Sequence, residues 1–463
     1  MLKILCLTLV LVTLTQIHLS TQEDTDATMI KDIHSITLSQ GSCYNWLTHL
    51  SENIGGRLAG STGSEKAIDY TYKLISAVSD TTYKQACTVP YWERGAQEEV
   101  LLITSNQKIN IGGLALGNSI STPIKGIEAE IIEVTSLDEV KELGTEHIKD
   151  KIVFFNRPMA PTQINTFFAY GGAADQRVNG PSLASEYGAI GAMVRSLTTL
   201  IDDSPHTGVT RYKDGINPVP AVAISTEDAN ALSTMLKTEQ VKALIKTNCN
   251  IIDTAKTSYN VIGEIKGSEY PEEIILIGGH LDAWDIGGGA HDDGAGCVHS
   301  IQVLETLKEL NYAPKRTIRC VMFMNEENGL GGGLAYAKKS NLKNEKHIAA
   351  IESDAGGFSP NGFSCEAIAT NFSNYFRQIS NWESLLSPYF LQINKGGSGA
   401  DISPLKSQGG LLIGLRPDSQ RYFDYHHSSK DRIEAVNERE LKLGAAAVTS
   451  LVYLLDKYGL ETE

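Results

Sequence analysis

The stretch EIILIGGHLDAWDIGGGAHDDGAG, residues 273–296, joins an apolar run to a glycine-rich loop crowded with acids. EIILIGGH reads as a strand, and it delivers His280 at its end. Asp282, two residues on, points to the same side while the chain stays extended. The adjacent Asp292 and Asp293 follow in the loop. Carboxylates this close repel one another unless a cation sits among them or protons neutralise them. The stretch therefore asks whether the rest of the chain completes a metal site.

Working outward, the pattern after residue 255 is α/β. YNVIGEI reads as a strand, residues 294–310 as a helix, TIRCVMFMNEE as a buried strand ending in acids, GGLAYAKKS as a helix start, and HIAAIESDAG as another strand ending in an acid. Open α/β sheets build their sites at the carboxyl ends of strands. Three such ends in succession, carrying His280, then Glu326 and Glu327, then Asp354, point to one shared cleft. Downstream, YHHSSKD adds His426 and His427. These are nitrogen and oxygen ligands without a thiolate, which suits hydrolytic zinc and not a structural cysteine site. Two imidazoles with several carboxylates exceed what one tetrahedral zinc requires, whereas two ions sharing a bridging carboxylate would use them all. One of the paired glutamates then stays free to take a proton from water. Singly, each element has a structural reading: a satisfied core histidine, an Asx turn, a solvated helix start. Their occurrence at successive strand ends favours the metal.

At 463 residues the chain is long for one core, and two domains, or one domain with a large insertion, are expected. A net charge of -15 excludes nucleic acid and anionic membrane surfaces as partners, since both need clustered Lys and Arg. The N-terminus, one Lys and an apolar run from Ile4 to about Leu14 before polar residues, has the form of a secretory signal peptide. That run is too short to span a membrane. The expected location is outside the cell or in the lumen of the secretory or lysosomal pathway. Six cysteines follow Cys6, enough for disulfides in an exported chain but at wide spacings that fix no pairing. Cys297 and Cys320 sit in apolar contexts and read as buried thiols. Asn371-Phe372-Ser373 is an N-glycosylation sequon. Thr62 and Glu65 have capping-box spacing ahead of a helix whose Ala67, Ile68, Thr71, Leu74 and Ile75 share a face. From about residue 120 to 245, short apolar strands and polar loops describe a small inserted module. The expected division is a signal peptide at 1–20, the first part of a catalytic domain at 21–119, the insertion at 120–245 and the main catalytic part at 246–463.

Taken together, H-x-D, D-D-G-x-G, E-E, S-D-A-G and a late H-x-x-x-D resemble the co-catalytic zinc exopeptidases of the aminopeptidase and glutamate carboxypeptidase type. The likeness is strongest in HLDAWDIGGGAHDDGAG, ESDAGGF and HHSSKD, with YWERG, SPHTGV and GSEYPE outside the site, and it runs from about residue 30 to the end. The resemblance implies an α/β fold, a mixed twisted central sheet flanked by helices, with a smaller protease-associated-like domain inserted. It implies two Zn2+ per chain, His280 and Asp354 holding one, Glu327 and His427 the other, and Asp292 bridging. Glu326 is then the general base and Asp282 the partner that orients His280. His427 is preferred to His426 because it reproduces the H-x-x-x-D spacing, which leaves His426 lining the cleft. His291 has no ligand role in the pattern. A cis peptide at Asp292-Asp293 and a homodimer are also implied. The loop NKGGSGADIS lies where relatives approach substrate, so Ser398 and Asp401 are candidate substrate contacts. A flexible connector is the competing reading of that loop.

The activity so implied is hydrolysis of dipeptides or short peptides as a carboxypeptidase or dipeptidase. An aminopeptidase of the same fold, a non-catalytic binding ectodomain and a single-zinc cyclase acting on N-terminal Gln are the alternatives. Spacing identifies no group that captures a substrate terminus.

Overall fold

Parallel strands buried on both faces need near-continuous apolar sequence, and the stretch that opens the sequence reading has it. In the computed structural model, which describes residues 24–461, Tyr270–His280 is a strand at the centre of an eight-stranded mixed sheet. Across that sheet the order is Thr81–Glu93, Asn250–Ile265, Arg316–Phe323, Tyr270–His280, Lys346–Glu352, Leu411–Pro417, Pro360–Glu366 and Gln392–Lys395. The four strands from Arg316–Phe323 to Leu411–Pro417 run parallel. Successive side chains leave opposite faces, so Ile275 and Ile277 enter a core with the helices Thr62–Val78, Ala295–Glu309 and Glu438–Tyr458. Leu276 enters the other core, with Tyr336 and Ala337 of the helix Gly331–Lys343. Helices on both faces leave only the strand ends open, and the four parallel strands bring theirs to one edge.

The helix Thr62–Val78 buries Ala67, Ile68, Thr71, Ile75 and Val78, while Leu74 stays half-buried. Its cap differs from the expected Thr62–Glu65 box. Ser61 is the extended residue before the helix and accepts from the Ser64 amide at 3.1 Å, whereas Thr62 is already helical. A hydroxyl caps only from the last non-helical position, which moves the cap back by one residue.

A second eight-stranded sheet is built from residues 98–247, in the order Lys108–Ile111, Glu98–Ile103, Lys242–Thr247, Ile127–Val134, Ile152–Phe155, Gly191–Arg195, Ala221–Ile224 and Gly113–Ala115. Three of these strands lie upstream of residue 120, where the sequence reading began the insertion. The chain leaves the first sheet after Glu93 and returns at Asn250, and these two residues are paired in register. Adjacent exit and return points let a module be inserted without disturbing the host sheet. Arg94, immediately after the exit, binds Asp285 through Nη2 at 2.7 Å and Glu98 through Nη1 at 3.2 Å, joining the two units at their root.

The signal peptide expected at 1–20 lies outside the described residues. Among the described residues no helix is long and apolar enough to cross a membrane. All six described cysteines are buried and unpaired. Asn371 is half-buried in the first turn of the helix Ala369–Ser380, and its Nδ2 donates to the Gly409 carbonyl at 2.9 Å, so a glycan there would have to share that amide.

Candidate metal centre

The parallel strands deliver the chemistry at their carboxyl ends. His280 is the last residue of its strand, Glu326 and Glu327 follow Phe323 by three and four positions, and Asp354 follows Glu352 by two. Asp292 reaches the same place from the glycine loop, and His427 from the segment after the helix Tyr422–Tyr425.

Asp292 sits in the middle of the set. Its Oδ1 lies 3.2 Å from His280 Nε2, which is also 3.6 Å from Asp354 Oδ1. Its Oδ2 lies 3.2 Å from His427 Nε2, which is also 3.0 Å from Glu327 Oε2. Each oxygen of one carboxylate therefore faces its own imidazole and second carboxylate. His426 Nε2 stands 3.6 Å from the same Oδ2, and its ring stacks on His427 with centroids 3.5 Å apart. Asp292, His426 and His427 form one group able to hold an ion, and His280, Asp292 and Asp354 another. Asp292 Oδ2 and both Glu327 oxygens are buried and receive no hydrogen bond among the described residues. An isolated buried carboxylate costs several kcal/mol or more, so orphaned oxygens converging with imidazoles fit a cation.

The charge balance without a cation points the same way, because protons take its place. Burial, followed by Asp292, pushes the Glu327 carboxyl up to about 7. Burial disfavours a charged His427, but Glu327 and Asp292 outweigh it and lift the imidazole to about 10.

The supporting contacts explain how the ligands are aimed. His280 donates Nδ1–H to the Asp282 main-chain carbonyl at 2.9 Å, which leaves Nε2 for the site. Asp282 is thus the partner of His280 through its main chain, while its carboxylate stands 3.9 Å from Nδ1. That carboxylate turns to the main-chain amides of Asn325 at 2.6 Å, Glu326 at 3.1 Å and Glu327 at 3.3 Å. Three amides from a single turn outcompete one ring nitrogen, so Asp282 aims the two glutamates with its side chain and the histidine with its backbone. Asp431 receives the amides of Ala290 at 3.1 Å and His291 at 2.7 Å on one oxygen and that of Asp292 at 3.1 Å on the other. The late Asp of H-x-x-x-D therefore holds the turn that presents Asp292. Arg57, fully buried, pins the loop through the carbonyls of Leu281 at 2.6 Å, Gly288 at 2.8 Å and Gly289 at 2.8 Å. A Cβ at Gly296 would lie 1.7 Å from the Ser353 carbonyl, so only glycine lets the helix start this close to the Asp354 strand end. The Asp292-Asp293 peptide is cis.

His291 is committed elsewhere: Nδ1 accepts from the Gly357 amide at 3.1 Å, and the ring stacks on Phe358 at 4.2 Å. Ser398 and Asp401 do not line the cleft. The Ser398 hydroxyl is bound to Glu366 Oε1 at 2.9 Å. Asp401 is 1 % exposed behind the site with both oxygens unpartnered, and burial, then Glu352, holds its carboxyl well above the usual range. Gly399 packs that loop against the sheet, where a Cβ would meet the Glu352 carboxyl at 2.2 Å, whereas a Cβ at Gly397 would meet nothing within 4 Å.

The cleft has a volume of about 230 Å³, and its walls include Glu326, Asp354 and His426 from the catalytic unit and Phe167, Tyr170 and Arg177 from the insertion. The insertion also braces the His426–His427 turn. His206 Nδ1 lies 2.7 Å from the His426 carbonyl, and the Thr207 amide donates to the His427 carbonyl at 2.9 Å. The second-sheet unit thus contributes to the site without supplying a ligand.

The profile of Peptidase family M28 matches residues 260–452. Human carboxypeptidase Q is 33 % identical over 420 residues, covering 90 % of this chain and 86 % of that protein. The crystal structure of a Peptidase M28 precursor from Shewanella amazonensis superposes with a TM-score of 0.89 at 33 % identity, covering 95 % of this chain and 99 % of that one. A zinc aminopeptidase from Bacillus subtilis shares the fold, with a TM-score of 0.64 at 21 % identity over 91 % of this chain and 96 % of that one. With a relative at this identity along almost its whole length and the family profile lying over the strand ends that form the centre, the chain belongs to peptidase family M28.

Proposed function

We propose that the protein is a di-zinc exopeptidase that cleaves dipeptides or short peptides. The observation that carries this reading is the placement of Asp292, one oxygen toward His280 and Asp354 and the other toward His427 and Glu327. In this reading His280 and Asp354 would hold one zinc and Glu327 and His427 the second, with Asp292 offering one oxygen to each pair. Bound there, a zinc pair supplies Lewis acidity, polarising the scissile carbonyl and lowering the pKa of an attacking water. Glu326 is the proton carrier. Its carboxyl lines the cleft, accepts no hydrogen bond from the described residues, and is aimed by the hold of Asp282 on its amide. Burial first, then Asp354 and Glu327 against an opposing His280, pushes that carboxyl up to about 8. Neutralising the neighbouring acids with cations removes the repulsion that retains the proton, leaving a carboxylate able to accept one from water and pass it to the leaving amine.

In the same reading residues 98–247 are a protease-associated-like cover, residues 1–20 a signal peptide, and the protein a secreted or lumenal, glycosylated homodimer. The relatedness to carboxypeptidase Q supports a carboxypeptidase or dipeptidase; the fold shared with a zinc aminopeptidase does not decide the terminus. Purified protein should hold about two zinc ions per chain and lose activity to a chelator. Glu326→Gln should retain the metal and lower kcat by about 10²–10⁴-fold, the usual contribution of a general base. A metal-replete Glu326→Gln protein turning over at the normal rate would remove Glu326 from the mechanism. One zinc with ring closure of N-terminal Gln would establish a cyclase instead, and two zinc ions with no hydrolysis a binding ectodomain.

A further inference from the structure

The mechanism uses every carboxylate on the cleft wall and neither of its arginines. Arg177 and Arg211 both come from the insertion and both line the cleft. Arg177 is only 4 % exposed, yet no carboxylate lies within ion-pair distance of it among the described residues. Arg94, Arg316 and Arg319, similarly buried, each hold at least one; Arg57 and Arg195 are buried without one, but Arg57 is bound to main-chain carbonyls, Arg195 to Asn156 and Asn230, and neither lines the cleft. Arg177 Nη2 donates to the Tyr170 hydroxyl at 2.6 Å, Nη1 lies 3.4 Å from the Thr207 carbonyl and 3.5 Å from His427 Nδ1, and Nε is buried with no hydrogen-bond partner among the described residues. A Cβ at Gly208, where φ is +135°, would fall 2.4 Å from the guanidinium carbon, so the chain is cut back to seat this group. A guanidinium this buried that also faces the cleft leaves a positive charge there for an anionic ligand to neutralise.

Arg211 is held beside it. Its amide donates to the carbonyl of Val178, the residue after Arg177, at 2.8 Å, while its exposed side chain makes no ion pair or hydrogen bond among the described residues. An exopeptidase must grip one charged terminus of its substrate. A cleft for an α-amino group needs a carboxylate free of other duties, and here Asp292, Glu326, Glu327 and Asp354 are all committed. The free groups are cationic, and guanidinium forks match carboxylates in geometry and charge. The cleft, about 230 Å³, is also smaller than the ~300–1,000 Å³ typical of drug-sized ligands, which favours a very short peptide.

We propose that Arg177 and Arg211 bind the free C-terminal carboxylate of a dipeptide or short peptide from the cleft wall beside His427, making the protein a carboxypeptidase or dipeptidase. This rests on the peptidase reading, and the test separates the two. A free-acid dipeptide and its C-terminal amide are assayed against zinc-loaded wild type and Arg211→Ala, whose exposed site spares folding, with Arg177→Lys as a second variant. Both peptides are also titrated calorimetrically into the inert Glu326→Gln protein. The acid should exceed the amide by roughly 10²-fold or more in kcat/KM, as expected when a site built for a polar group meets a ligand lacking it. Arg211→Ala should raise KM for the acid about tenfold, keep kcat within about twofold, and leave the amide unchanged. Equal cleavage of acid and amide, or a preference unaltered in both arginine variants, would overturn the clamp. Preferential binding of the acid with no hydrolysis by wild type would uphold the clamp and remove the peptidase.

Discussion

The two sheets of this molecule have the same number of strands and opposite uses for their ends. In the catalytic unit, parallel strands end in His280 or lead within four residues to Glu326, Glu327 and Asp354, and their carboxyl ends meet at one edge. In the insertion, the parallel strands Ile152–Phe155, Gly191–Arg195 and Ala221–Ile224 end in Phe155, Arg195 and Ile224. Arg195 binds Asn156 and Asn230 at 3.3 and 2.8 Å, a contact internal to its own unit. The insertion reaches the cleft through its loops and short helices, with His206, Thr207 and Arg177. Sheet architecture alone therefore makes no site. Which side chains the strand ends carry decides that, and loops from a second unit can complete it.

The strongest way to break this contrast is Asp292→Asn. Replacing the one carboxylate shared by both halves should abolish binding of the second zinc and lower kcat/KM by at least about 10⁴-fold, checked by metal content and turnover. No substitution in the second sheet should approach this. Asp431→Asn tests the layer beneath, where the side chain touches only main-chain amides. The ligands remain, but the Asp292 turn loses its hold, and zinc affinity should fall about 10–100-fold, read by competition with a chromophoric chelator. An unchanged affinity would show that the turn is held without it.

Acidification has a smaller effect and acts on both units. Burial lowers His299 and His347 in the catalytic unit, and His206 in the insertion, to about 4. Their unfolded value is near 6.5, so between 6.5 and 4 the unfolded chain binds the additional protons. Stability from these groups is complete above pH 6.5 and is lost as pH falls toward 4, by roughly 1–3 kcal/mol for each imidazole. Urea unfolding at pH 7 and pH 5 measures the slope, and His347→Gln, which keeps a polar group beside Tyr336 and Gln408, should reduce it.

Much of the centre was legible because its residues are local to strand ends. Each of His280, Asp292, Glu326, Glu327 and Asp354 is announced by an apolar run or glycine turn within a few positions. What was hidden acts over long separations. Arg57 reaches residues more than 220 positions away, and Asp431 reaches the 290–292 turn from about 140. The only advance signal of Asp431 was its spacing from His427. The Asp282 side chain was hidden for a related reason: its place beside His280, whose ring its carbonyl holds, says nothing about the amides of Asn325, Glu326 and Glu327, which only strand pairing brings alongside. The same limit applied to the NKGGSGADIS loop, whose glycines read equally as a flexible connector or a substrate contact; only the fold shows Gly399 packed on Glu352 and Gly397 open.

The sequence by itself determined which side chains could gather at the strand ends, because their types are written residue by residue, and carboxylates at that density need cations or protons to neutralise them. Tertiary structure alone decided which oxygen faces which imidazole and that an arginine-bearing wall from the insertion lines the cleft beside His427. Those outcomes depend on the register between strands and on a second unit that departs and returns through a single strand pair, and neither distance nor direction between remote segments is encoded in any local pattern.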